Sequence, residues 1–179
     1  MNNLDINKYK EAADKFLPEK IKVLFIAESP PANGSFLYFK FPKQEILLAT
    51  ITTAIFGDGK GYKRNDSKIG FLNILKDEGY FLIDAVEYPI NTTDDRNREL
   101  IIQKEMENLI DSLKDLKSRN KIDSYTKIIL IKKSVFNVLN NNLKQKGYNI
   151  LNKVKVDFPK YYNDRDTIRE VRNLLEINY

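Results

Sequence analysis

The chain has 179 residues, 42% hydrophobic and 31% charged, the balance of a globular domain rather than a disordered or membrane chain. Thirty Lys and Arg against 25 Asp and Glu give a formal charge of +5 and a pI near 9.1, which permits nucleic-acid binding without requiring it. The absence of Cys removes disulfides and thiolate metal sites, and the absence of His removes the usual neutral-pH base and the commonest metal ligand. Ser-His-Asp hydrolysis and imidazole-dependent zinc motifs are thereby excluded, and acid–base chemistry falls to carboxylates, Lys or Tyr. The opening MNNLDINKYKEAAD has no apolar run suited to a signal sequence, and no stretch approaches a membrane span. These features predict one domain over 1–179, cytoplasmic and monomeric, with no metal, cofactor or membrane attachment.

Ile6, Tyr9, Ala13 and Phe16 fall on one face at helical spacing over 5–17, and Pro18 closes the segment. The run IKVLFIA, 21–27, is short, β-branched and continuously apolar, as expected of a strand covered on both faces. EILLATITTAIF is a helical pattern, and SKIGFLNILKDEG is another, with Ser67 as cap and Gly79 as stop. YFLIDAV at 80–86 reads as a second strand. The long segment DRNRELIIQKEMENLIDSLKDLKS, 95–118, reads as a helix with an exposed face of mixed charge. KIILI at 127–131 is a third strand and the weaker VKVDF at 154–158 a fourth, with SVFNVLNNNLKQKG and RDTIREVRNLLEI as helices. Strand and helix alternate throughout, which predicts an α/β fold: three α/β/α layers around a four-stranded, mainly parallel sheet.

Open parallel sheets bind ligands beyond the carboxyl ends of their strands, and the residues leaving these strands are unusually polar. The first strand exits into Glu28-Ser29-Pro30-Pro31-Ala32-Asn33-Gly34-Ser35. The second carries Asp84 and Glu87 into Tyr88-Pro89-Ile90-Asn91, the third ends in Lys132-Lys133-Ser134, and the fourth in Asp157-Phe158-Pro159-Lys160-Tyr161-Tyr162.

The segment VLFIAESPPANGSFLYF resembles the first motif of the uracil-DNA glycosylase superfamily, in which a hydrophobic strand enters a loop written GEAPG, GQDPY or GMNPG. Ala27 here replaces the usual Gly. FLIDAVEYP resembles the strand ending TNVVKCRPP in the thermophile-type branch, and DFPKYYNDR stands where that branch has its HPS motif. The resemblance covers most of the chain through a few short motifs. It implies a DNA glycosylase that flips a base out of DNA and cleaves the N-glycosidic bond.

Residue by residue, the resemblance gives Glu28 the carboxylate role, stabilising a sugar cation or directing water at it, with Ser29 holding the water. Phe36 and Tyr38 match the place of the base-stacking aromatic. Ser35 and the loop backbone would grip a phosphate. Asp84 aligns with an Asn that reads uracil; an ionised carboxylate only accepts hydrogen bonds, which tilts the expected base from uracil to a modified cytosine, with anti-phage defence as one setting. Phe158 replaces the motif His, so the charge on the departing base needs another cation, with Lys133, Lys160 and Arg165 as candidates. Tyr161 and Asn163 would follow as part of a loop on the DNA backbone. The iron–sulfur cluster of the thermophile-type branch is excluded by the lack of Cys.

Plainer readings stand beside these. Glu28 could cap a loop or pair with a Lys, Asp84 could face helix N-termini, and Phe36, Tyr38 and Phe39 could form a lid over the core. Lys132 and Lys133 read as solvated surface. A catalytically inactive relative that binds nucleic acid is the alternative function. A flavodoxin-shaped small-molecule enzyme ranks third, for want of a Gly-rich phosphate fingerprint.

Overall fold

The computed structural model describes residues 6–40, 45–90 and 93–177. Asp5, at the start of the predicted first helix, and Asn91, in the exit from the second strand, lie outside them. In chain order the elements are α1 (Ile6–Asp14), β1 (Val23–Ala27), α2 (Ile46–Phe56), α3 (Lys68–Glu78), β2 (Tyr80–Asp84), α4 (Asp95–Ser118), β3 (Lys127–Leu130), α5 (Lys133–Gln145) and α6 (Arg165–Leu175).

The helix boundaries follow from local chemistry. Ser67 Oγ accepts from the Gly70 amide at 3.1 Å to open α3, and Gly79 closes it in the left-handed conformation at φ 83°. Asp94 opens α4 by accepting from the Asn97 amide at 2.9 Å, and Asp164 caps α6. The first helix ends at Asp14, earlier than the expected 17, because Phe16 and Leu17 turn inward to be buried ahead of Pro18.

The sheet is parallel, in the order β2-β1-β3. All five side chains of β1 are buried; since successive side chains point to opposite faces, both faces of the strand are covered. α4 packs on α5 and α2 on α6. The mixed charges of α4 lie on its outer side, while Ile102, Leu109, Ile110, Leu113 and Leu116 are buried.

The sheet has three strands among the described residues, and the expected fourth is a correction. The segment around 154–158 contributes one isolated bridge, Ile131 to Val156, and a second bridge joins Ile128 to Ile150. Between them the Asn152 side chain does the work of a strand backbone. Its Oδ1 accepts from the Leu130 amide at 2.7 Å and its Nδ2 donates to the Leu130 carbonyl at 3.0 Å. A side-chain amide that pairs with the edge lets the main chain leave the ladder.

Among the described residues no helix is long and apolar enough to cross a membrane, and no group of three or more Asp and Glu is placed to hold a metal.

Candidate functional site at the strand ends

Parallel register brings the site together. Ala27 pairs with Asp84 and Ile26 with Leu130; two residues further along, Glu28 is level with Lys132. Asp84, Glu28 and Lys132 therefore form a row across the carboxyl edge of β2, β1 and β3. They open into a cavity of about 410 Å3, within the usual range for small-molecule sites.

Glu28 is only 5% exposed. Its Oε1 accepts from Ser134 Oγ at 2.5 Å, and its Oε2 is paired with Lys132 Nζ. Ser134 lies in the first turn of α5, so the N-terminal end of that helix adds favourable field for an anion.

Lys132 is the unusual residue of this group. It stands where Ser, Thr, Asp or Asn is preferred before a helix, and makes no capping bond through its side chain. Its backbone, φ 89° and ψ 140°, is close to a region used almost only by Gly, at a cost of roughly 1–3 kcal/mol. Its amide donates to the Val156 carbonyl at 2.8 Å, and its side chain is one-quarter exposed.

Asp84 makes its principal charge contact with Glu28. Burial pushes its carboxyl up to about 7, and repulsion from the Glu28 carboxylate adds to the rise. At neutral pH it is therefore present in both charge states. The protonated form donates as well as accepts, which adds a donor state to the acceptor role expected from the sequence.

Ser29 Oγ accepts from the Ile90 amide at 3.3 Å. Asn33 Oδ1 accepts from both the amide and the hydroxyl of Ser35, at 3.0 and 2.7 Å. Gly34, at φ 78°, makes the turn between them. The cavity wall also contains Glu45, which accepts from Lys68 Nζ at 2.8 Å. Burial raises the Glu45 carboxyl and lowers the Lys68 amine, while their hydrogen bond opposes both shifts.

Comparison of the chain with protein-family models, curated proteins and solved structures finds no match. The site is accordingly read from its own geometry.

Of the residues singled out in the sequence, Glu28, Ser29, Ser35, Phe36 and Asp84 line the cavity. Phe36 does so from within an aromatic cluster, edge-on to Tyr9 at 5.0 Å and to Phe39 at 5.2 Å. Tyr38 does not line it. Its buried hydroxyl donates to the Leu82 carbonyl at 3.0 Å and accepts from the Leu82 amide at 2.8 Å, capping the outer edge of β2. Tyr38 is thus a structural residue in place of the expected stacking one. Tyr38→Phe would strand both buried Leu82 groups; the expected result is a loss of about 1–3 kcal/mol in denaturant unfolding, with the cavity unchanged.

Lys133, Lys160 and Tyr161 are exposed and away from the cavity wall. Asn163, at φ 57°, accepts from Thr53 Oγ1 at 3.0 Å, and Arg165 is bonded to Asp58 at 2.5 Å. These two residues fasten the loop before α6 to α2 and the turn after it, so neither is a cation or amide held at the cavity. Lys132 corrects its own surface reading: its amine is in the cavity wall. Ser134, Glu45 and Phe158 were also missed as site residues. The available signal was position, since Lys132 follows β3 as Glu28 follows β1.

Proposed function

We propose that this chain is a DNA glycosylase of the uracil-DNA glycosylase type, with that superfamily's layered architecture, which takes a flipped base into the cavity and hydrolyses its N-glycosidic bond. The observation that carries the reading is the row of Asp84, Glu28 and Lys132, two carboxylates of different character and a cation, at the mouth of a parallel sheet. Cleavage generates positive charge on the sugar and negative charge on the base, so a site for it needs an anion and a cation close together. Glu28 stabilises the sugar cation, oriented by Lys132 and Ser134. Ser29, whose oxygen is already engaged by Ile90, retains a hydroxyl proton with which to hold water. Lys132 takes the place by the departing base for which Lys133, Lys160 and Arg165 were candidates.

The base packs against Phe36 and is read by Asp84. The cavity volume supports a base with a substituent, and a modified cytosine ranks ahead of uracil on that ground; activity on such bases in bacteriophage DNA would give the protein a role in defence. A wider groove of about 730 Å3 that also borders Asp84 is lined by Asp14, Glu87, Asp111 and Asp115 against two cations, Lys10 and Arg119. Carboxylates repel a phosphate backbone, so DNA approaches from the Glu28 side, where Lys132 is in the cavity wall.

The test is base release, scored as strand breaks after cleavage of abasic sites, on DNAs containing uracil, cytosine, hydroxymethylcytosine or glucosylated hydroxymethylcytosine. Release from the cytosine derivatives alone supports the reading in full, and release from uracil alone keeps the enzyme with a different base. A second reading, a nucleic-acid-binding module without activity, draws on the fact that both Glu28 oxygens already have partners. Binding with no release from any of the four DNAs would establish it.

A further inference from the structure

We propose that Lys132 is also a nucleophile, capturing the sugar left after base departure as an imine and so giving the protein a strand-nicking lyase activity. The inference rests on the proposed glycosylase reaction and extends it by a second step. Three features of Lys132 point the same way. Its amine is in the wall of the cavity beside Glu28 and level with it across the sheet. Its backbone occupies a conformation that Gly would adopt freely, yet the position holds a Lys. No side-chain cap of α5 accounts for that choice. Backbone strain kept at a cavity is a reason to look for chemistry there.

The proton balance favours this order of events. The base leaves with the electron pair of its bond to C1′ and takes a proton from the Lys132 ammonium, so Nζ becomes a free amine at the moment the sugar is released. Water adds to the sugar cation, losing a proton to solvent, and the hemiacetal opens to the C1′ aldehyde. The Nζ lone pair adds to C1′ and the carbonyl π pair moves to oxygen, which takes up a proton; loss of water leaves a protonated imine. The C2′ proton, now acidic, passes to Glu28, no longer tied to an ammonium. The C3′–O bond then breaks with its electron pair on the 3′ phosphate, which nicks the strand.

The experiment incubates the full chain with a duplex containing one preformed abasic site, in the presence of sodium cyanoborohydride, which reduces an imine to a stable secondary amine. The expected result is a covalent protein–DNA adduct on a denaturing gel, mapped by peptide mass spectrometry to Lys132 and lost to background in Lys132→Arg. Arg retains the cation opposite Glu28 but cannot form the imine, and its thermal unfolding reports whether the variant is folded. If the variant does not fold, the mapped position in the wild-type chain decides. An adduct on other amines with Lys132 unmodified overturns the proposal, as does no adduct in the wild type. With the abasic site preformed no base leaves, so the Lys132 proton passes to solvent base instead, and the outcome does not depend on base excision. Base release without an adduct removes the lyase step and leaves the glycosylase; an adduct at Lys132 without base release does the reverse.

Discussion

Glu28→Gln is expected to cut base release by about 10²–10³-fold, the usual consequence of losing one preorganised electrostatic group in a water-poor site, while DNA binding stays within a few-fold. Glu28 is positioned for a charge role by groups that would be misplaced around a neutral residue. Ser134 and Lys132 both donate to its carboxylate, and a Gln amide can accept from only one of them while presenting its own N–H to the other. The substitution therefore also leaves the Lys132 ammonium without its anion; that side chain is one-quarter exposed, so water takes up part of its charge and the cost falls below the about 3–5 kcal/mol of a fully buried pair. Single-turnover release and fluorescence anisotropy with the same DNA separate the two effects, provided both are measured well below the melting temperature of the variant. A drop in release with intact binding is the enzyme's signature. Equal release from both proteins would remove Glu28 from the chemistry and leave it the structural role of joining β1 to the start of α5.

The parts of this arrangement that were legible in the sequence are those set by short-range chemistry. Ser67 and Gly79 bracket α3 because a hydroxyl cap and a left-handed Gly act within four residues of themselves. The continuous apolar run at β1 marks a strand buried on both faces without knowledge of what buries it. Glu28 and Asp84 were identifiable because strand exits are known places for chemistry, and the register then set them beside each other. What escaped was set by long-range partners. VKVDF has the composition of a strand, but Asn152 reaches the Leu130 backbone first and the chain leaves the ladder. Tyr38 has the right residue type and spacing for a stacking aromatic, yet an unpaired strand edge 44 residues away takes its hydroxyl. Lys132 in a pair of lysines reads as surface until the third strand is laid beside the first and its backbone is seen at φ 89°.

Asp84→Asn tests the other carboxylate through both stability and base choice. The Asp84 carboxyl goes from an ordinary value of 3.8 to about 7 on folding. Between those values the folded chain holds a proton that the unfolded chain has released, so this group's contribution to stability falls as pH rises from 3.8 to about 7 and is level above it. The full span corresponds to about 4 kcal/mol at most. Asn has nearly the same shape and cannot ionise, so the variant is expected to be more stable than the wild type at pH 8. The advantage should shrink steadily towards pH 5, as followed by denaturant unfolding at each pH. Base choice should follow the same titration. Below pH 7 the protonated carboxyl, like an amide, offers a donor to the uracil carbonyl at position 4; above it, only acceptors remain. The ratio of uracil to cytosine-derivative release is thus expected to fall with pH in the wild type and to stay flat in the variant. A wild-type ratio that is flat from pH 5 to 8 would show that Asp84 does not touch the base.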